Sequence, residues 1–530
     1  MRTKNQHLFT ALFAVASLIG SEARGQNAAS NGSAPADEVI VLTPFSVSGE
    51  RASRYQPTQS VSSGRIATSI ADTAQSVSVI PRELIDDAGT GRIFDALKYA
   101  AGVSESTLPG AVDRITLRGF QTDNGLIDNF YFLAQAGADP AIVDRIEVVK
   151  GPNSILNPSG PAGGTINVVT KSPLFRRENS LKLQLGQYDA NRLEGDFTGP
   201  LSDGSKFAYR MVFAREDSES YHDNTFTKSL VVMPMMTWRI SPTVELTVKY
   251  LYLDWKRPPF LGYPVDPRSN SDNEAVMLAG VPRTRSLQEE EQARFEFRHQ
   301  VFSNLLAKFS DDFSGRLSIN GVYGRGGNQQ LLNSGNNFGD RDPKTGRWVT
   351  GVSFLQVAPF TSTPLPAPSR TYNRGGRVER SWTHHFNLQN IYVLAKQTDL
   401  FASTSVFGFT ADFQTYLAQN QDSPIAPINI DAPVYGSKPV VAPPNFKQES
   451  TETTANAFLS QQFRLFQERL FVSGSYTVLG TKTDVVNELA SPETTITNRR
   501  GNTDLLSWSV LAKVFPGVGI YYADSNTNRL

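Results

Sequence analysis

From Ser180 onward, apolar residues recur at every second position. Leu181, Leu183 and Leu185 share one face, as do Phe207, Tyr209, Met211 and Phe213, and then Val244, Leu246, Val248, Tyr250 and Tyr252. The rhythm returns at Phe295 and Phe297, at Leu317, Ile319 and Tyr323, and at Phe401, Phe407, Phe409 and Phe413. It closes with Leu470, Val472, Tyr476 and Val478, and with Leu506, Trp508, Val510 and Val514. Successive side chains of a strand point to opposite faces, so each run has one greasy side and one wet side. Lys182, Gln184, Arg210, Glu245, Lys249, Glu296, Arg298 and Lys513 occupy the wet side. Many runs reach roughly ten residues, enough to cross a bilayer at a tilt and longer than an ordinary globular strand.

The connections select the topology. Short turns fall near 199–205, 241–242, 310–312, 397–399, 467–468 and 516–517. Long polar loops fall near 257–290, 326–377, 418–451 and 480–503. Strict alternation of short and long puts every second connection at the same end. An up-and-down barrel does this and a Greek-key sandwich does not. The pattern predicts about 13 strands, the last at Val518–Ala523.

Residues 68–173 follow other rules. Val77–Ile80 reads as a strand ended by Pro81, and Arg82–Ala101 carries a helical pattern through Ile93, Leu97 and Ala100, with Gly102 as its cap. Further strands are expected at Arg114–Arg118, Arg145–Val149 and Thr165–Thr170. This is a compact α+β domain of about a hundred residues. Phe130, Tyr131 and Phe132 follow one of its strands and either reach a vestibule to touch an apolar ligand or pack inside the domain.

Ahead of it, Arg2 and Lys4 precede an apolar stretch from Leu8 to Gly20 and small residues at Ala23 and Gly25. That is an export signal, since about 13 apolar residues cannot span a core needing roughly 20. A polar lead-in comes next, then a lone β-prone run, Glu38, Val39, Ile40, Val41 and Leu42, before a Ser-rich linker. It is either a strand without neighbours or the first strand of the next domain.

Lys plus Arg equals Asp plus Glu at 51 each, so charge points to no nucleic-acid partner. There is no cysteine, which excludes disulfide frameworks and thiolate metal sites. No His-Glu-x-x-His, Gly-x-Ser-x-Gly or phosphate-loop motif is present, so no enzymatic activity is expected. His384 and His385 are adjacent on a strand and point to opposite faces, so no metal site is expected there.

Several passages carry a resemblance. These are Ala71–Ile80, Leu117-Arg118-Gly119-Phe120, Asp144–Pro152 (DRIEVVKGP) and Gly163–Lys171 (GGTINVVTK). They are similar to the plug and early barrel of the TonB-dependent outer-membrane receptors, in particular the ferric-siderophore branch. Asp128-Asn129 stands where the family has Asp-Gly, and Asn tolerates the same left-handed geometry. The resemblance implies an antiparallel transmembrane β-barrel with an N-terminal α+β plug. It divides the chain into a signal at 1–25, a TonB box and linker at 26–48, a plug at 49–173 and barrel at 174–530. The family's barrel has roughly 22 strands, so about 13 make an incomplete one. A truncated product with an open sheet and an exposed last strand is the expectation. Glu38–Leu42 becomes the TonB box, gripped by a TonB-type energy-coupling protein in the periplasm. Arg118, Arg145, Glu147 and Lys150 become plug charges, either bridging to acids on the barrel wall or forming a solvated face. The implied function is active transport of a ferric siderophore across the outer membrane, with membrane lipid and a small metal chelate as partners and no resident cofactor. Cobalamin, haem or carbohydrate uptake, or a product that transports nothing, are the alternatives.

Overall fold

The computed structural model describes residues 44–45 and 51–525, apart from 90, 107–113, 123–124, 133–136, 154–156, 159, 259–279, 291–292, 334–370, 373, 423–424, 427, 439, 441–442, 490–493 and 516. The expected export signal and the run Glu38–Leu42 lie outside the described residues.

The N-terminal domain is built on a mixed five-stranded sheet. Its strands are β1 Ser76–Pro81, β5 Gly125–Ile127, β6 Phe130–Phe132, β7 Val143–Lys150 and β8 Gly164–Thr170, in the order β6-β5-β8-β7-β1. A smaller sheet joins β2 Val103–Ser106, β3 Arg114–Leu117 and β4 Phe120–Thr122. The hairpin β3–β4 turns on Arg118 and Gly119, both at positive φ (51° and 83°). Gly163 and Gly164 let β8 approach its neighbours: a Cβ on either would lie 2.2 Å from the Leu117 carbonyl or 2.1 Å from that of Val149.

Two sequence expectations fail here. The helix over 82–101 is two short pieces, α1 Arg82–Asp87 and α2 Ile93–Leu97. Gly89, at φ 61°, ends the first. Of the hairpin β5–β6 the sequence reading has the strand before Phe130 and the turn at Asp128-Asn129 but not the strand Phe130–Phe132, because three residues are too short to show a period. Its turn residues Asp128 and Asn129 both take left-handed φ, 49° and 67°, as a two-residue hairpin loop requires.

Among the described residues beyond the plug, 13 strands form one antiparallel meander in which each pairs with the next, and Thr371–Tyr372 pairs separately with Ile428–Asn429. The strands are β9 Glu178–Leu185, β10 Asn191–Pro200, β11 Phe207–Glu219, β12 Phe226–Ser241, β13 Val244–Arg257, β14 Arg294–Lys308, β15 Phe313–Asn333, β16 Arg374–Gln397, β17 Phe401–Asp422, β18 Phe446–Leu465, β19 Leu470–Asn487, β20 Thr494–Phe515 and β21 Val518–Ser525. The predicted count and short turns are present. The predicted loops at 326–377, 418–451 and 480–503 are too long, since the strands run on to Asn333, Asp422 and Asn487. Beyond the bilayer both faces are polar, so the alternation fades while the backbone ladder continues.

Side-chain burial follows the alternation. On β11, Ala208, Arg210, Val212 and Ala214 are buried toward the plug, while Tyr209 is exposed on the opposite face. On β15, Ser314, Arg316, Ser318 and Asn320 are buried, while Ile319 and Tyr323 face out. Rings cluster in two bands on that outer face. Phe313 stacks on Tyr392 at 5.8 Å near the short turns, and His299 on Tyr323 at 6.2 Å toward the long loops. Phe313 and Tyr323 share a strand, which at about 3.3 Å per residue and a tilt near 40° separates them by about 25 Å across the membrane. Among the described residues no helix is long and apolar enough to span a membrane. Also among the described residues, the end strands β9 and β21 do not pair with each other, and both are largely exposed.

Candidate functional site: the plug and its seat on the wall

Strand pairing cannot hold a plug inside a barrel, so side chains must. The turn of the β5–β6 hairpin supplies one attachment. Asp128 accepts hydrogen bonds from the Thr170 amide (2.8 Å) and hydroxyl (2.6 Å), and from Lys249 Nζ on β13 at 3.1 Å. Lys249 also donates to Thr170 Oγ1 at 2.8 Å. Next to it, the Asn129 carbonyl accepts from Gln389 Nε2 on β16 at 2.9 Å. Asn129 is locked by reciprocal bonds with Asn167, at 3.1 Å and 2.8 Å. Lys249 is 5% exposed and Asp128 9%, so this ion pair is desolvated and its partners must be satisfied together.

Two further attachments sit on the early strands. Arg192 on β10 forks onto Asp139 of the plug (2.6 Å and 3.1 Å) and is flanked by Glu194 and Glu216. Lys171 meets Asp196 at 2.8 Å, and Arg210 holds the same carboxylate with two bonds. Burial lowers the Lys171 pKa, Arg82 and Arg210 add to this, and Asp196 opposes it. On β20, Lys513 lies 2.5 Å from Asp72. Apolar contact adds to these, with Phe130 packed against Phe302 of β14 at 6.1 Å between ring centres. Attachments therefore run from β10 to β20, and the sheet curves round the plug.

The four charges singled out in the sequence do other things. Arg118 is exposed at its hairpin turn. Arg145 pairs within the plug, to Glu147 at 2.7 Å and Asp144 at 2.9 Å. Burial opposes the Arg145 charge, but these carboxylates outweigh it and raise its pKa. Glu147 is fully buried and accepts from Ser60 Oγ (2.5 Å), Val61 N (3.0 Å) and Ser62 N (2.9 Å). Lys150 is half-buried, and burial followed by the neighbouring Arg118 charge lowers its pKa. The expected bridges from these residues to wall acids are absent among the described residues. The reason is position: Arg145 and Glu147 share one face of β7, and Ser60–Ser62 of the plug itself covers Glu147 there. Asp72, Asp128, Asp139 and Lys171 reach the wall instead. Of their wall partners Arg192, Asp196, Lys249 and Lys513, the two lysines had a sequence signal, a charge at the wet position of an otherwise greasy strand.

Of the three aromatic candidates, Phe130 is fully buried, which favours packing, and Tyr131 is half-buried and edge-on to His385 at 6.5 Å. Nothing is described of the Phe132 side chain. His385 is buried and bonded to Asp412 at 2.6 Å, while His384 is exposed on the other face. A hollow of about 560 Å³ bordered by His299, Tyr323, His384 and Phe386 opens on the outer, lipid-facing side, where Gly321 leaves a dent; it is not in the lumen.

Residues 69–165 match the family model of the TonB-dependent receptor plug domain. That segment is a TonB-dependent receptor plug domain. Among relatives, the chain is similar to the metal-pseudopaline receptor of Pseudomonas aeruginosa, 31% identical over 275 residues, which cover 51% of this chain and 38% of the relative. It is 32% identical to the ferrioxamine B receptor of Salmonella typhimurium over 217 residues, 37% of this chain and 30% of that one. The chain thus spans well under half the length of these curated relatives. Its fold matches the ferripyoverdine receptor of the Pseudomonas aeruginosa outer membrane with a TM-score of 0.73 at 19% identity, covering 89% of this chain and 59% of that one. The ferric-catecholate import receptor of E. coli K12 gives 0.73 at 16% identity, covering 89% and 73%.

Proposed function

We propose that this receptor takes part in importing a metal chelate of the ferric-siderophore class, and that a TonB-type protein supplies force by gripping Glu38–Leu42. The observation that carries this reading is how the chain enters the plug. Just after the proposed TonB box, the Pro44 carbonyl accepts from Ala67 N at 2.7 Å and Phe45 is buried against the wall. Ser60–Ser62 then lies on Glu147 in the plug centre. Tension applied upstream is delivered to the plug through these bonds. Over β15 to β19 the wall turns buried polar side chains inward, and such contacts can exchange protein partners for water at small net cost. An unpaired strand on a leash is suited to adding itself to another sheet's edge. Residues 1–25 act as the export signal in this reading. The related receptors named for metal-pseudopaline and ferrioxamine B support the ligand class.

Cells carrying the gene, grown under iron limitation with radiolabelled ferric siderophore, test it. Val39→Pro or Ile40→Pro removes a backbone donor and breaks strand addition. Uptake is expected to fall to background while the receptor stays in the outer membrane. Uptake equal to wild type rules out the pulling mechanism.

A further inference from the structure

The hollow on the outer face of the wall plays no part in seating the plug or in the import reading. Its volume of about 560 Å³ falls in the range of small-ligand sites, roughly 300–1,000 Å³. Its floor is Gly321 on β15. In the ladder Gly321 pairs with Val301 on β14 and with Phe386 on β16, and Phe386 pairs with Phe413 on β17. All three of these apolar side chains are exposed. A Cβ on Gly321 would meet nothing within 4 Å, and its backbone lies outside the left-handed region. Neither backbone geometry nor packing therefore calls for glycine at this position. Gly315 and Gly408 differ, since a Cβ there would lie 2.9 Å from the Phe309 ring or 2.1 Å from the Asn390 carbonyl oxygen. A glycine inside a strand weakens it and often marks the close approach of a ligand. What Gly321 leaves is room between Val301 and Phe386.

The next outward-facing row is polar. It runs His299, Tyr323, His384 and Thr415, paired across the same four strands. The Tyr323 ring lies between the two imidazoles, 6.2 Å from His299 and 5.2 Å from His384. His299 Nδ1 is hydrogen-bonded to Tyr250 Oη at 2.5 Å, which fixes the ring and leaves Nε2 for a further partner. Two positions along a tilted strand put this row about 5 Å nearer the long loops than Gly321. Rings with a polar tip favour the level of the lipid head groups. The hollow thus has an apolar floor on the side of the acyl chains and hydrogen-bonding groups on the side of the outer head groups. It is continuous with the apolar band that these strands turn outward.

We propose that this hollow binds one phosphate-bearing lipid of the outer leaflet. An acyl chain lies against Gly321 and Phe386, and the phosphate oxygens accept hydrogen bonds from the row of His384 and Tyr323. The site rests on the reading of the wall as a membrane barrel and is independent of chelate import.

The test is native mass spectrometry of the full chain released from detergent and titrated with palmitoyl lysophosphatidylglycerol. Wild type is expected to keep one lipid. Gly321→Leu fills the floor and is expected to bind about tenfold more weakly. Gly474→Leu on β19 adds the same side chain where a Cβ has only ordinary contact, 3.9 Å from the Ser507 carbonyl oxygen, and is expected to bind as wild type does. If Gly321→Leu does not fold, the exposed His384 carries the test, with His384→Ala expected to weaken binding about fivefold. Monopalmitoylglycerol, which lacks the phosphate, is expected to bind less tightly, and equal binding of the two overturns the phosphate assignment. Equal binding by wild type, Gly321→Leu and His384→Ala means an unspecific lipid shell only and overturns the proposal. So does equal weakening in Gly474→Leu, or a second copy of the chain retained in place of lipid. Cell fractionation reads the membrane reading separately: a chain outside the membrane fraction overturns both, whereas a membrane-inserted chain that keeps no lipid overturns the site alone. Loss of uptake in the proline variants bears on import alone and leaves this readout untouched.

Discussion

On strands β11 to β14 the buried positions toward the plug are mostly apolar, among them Val212, Val231, Met233, Leu251 and Phe302. They form one cluster with Ile142, Ile146 and Val148 of the plug. On β15 to β19 the inward positions at mid-height carry Ser318, Asn320, Asn387, Gln389, Thr410, Asn456 and Ser475. The same plug therefore has one dry contact and one polar contact. Separating the dry arc exposes apolar surface at about 25 cal/mol per Å². Separating the polar arc trades protein hydrogen bonds for water ones, each worth only about 1 kcal/mol net. The first arc holds the plug in place, and the second is where it can part from the wall.

The largest effect should come from a charge placed in the dry arc. Met233 is fully buried, and Met233→Asp is expected to cost about 4 kcal/mol or more, because nothing in that cluster can pair a carboxylate. Thr410→Asp on the polar arc is the matched control and is expected to cost about 1 kcal/mol. Thermal unfolding in detergent reads both. Equal losses would break the comparison.

The next effect sharpens it, because Lys249 is a buried charge within the dry arc. Lys249→Met strands Asp128 against Thr170 alone, and about 3 kcal/mol is expected to be lost. Asp128→Asn added to Lys249→Met should recover part of that, giving a coupling energy in a double-mutant cycle. Additive losses would show that the pair is not what fixes the hairpin.

Much of the wall is legible in the sequence because a two-residue period survives wherever one face meets lipid. It stops being legible where lipid stops, which is why the alternation alone leaves β15 and β16 short at their outer ends. The attachments are half legible. Lys249 and Lys513 stand out at wet positions, but their partners lie on another domain, 121 positions away for Asp128 and Lys249. No local pattern pairs residues at that distance. In the sequence Glu147 is one plug charge among four, because its role depends on backbone donors at Val61 and Ser62, and a backbone N–H leaves no mark on sequence. Arg118 stands out by its charge, while its fold-level role is the positive φ of a two-residue turn.

The smallest effect probes the polar arc from within. Asn456 on β18 donates to Thr410 Oγ1 on β17 at 2.6 Å, directly across the ladder, and both side chains are buried toward the lumen. Asn456 Oδ1 has no hydrogen-bond partner among the described residues. Replacing one partner leaves the other buried and unsatisfied, so Thr410→Val alone is expected to cost about 1–2 kcal/mol. Asn456→Leu together with Thr410→Val removes both groups at similar volume and should return stability to within about 1 kcal/mol of wild type. The double variant also makes the polar arc more like the dry one. If plug separation occurs on this side, chelate uptake should slow while the unfolding midpoint barely moves. A variant that unfolds earlier but imports normally would place the parting surface elsewhere.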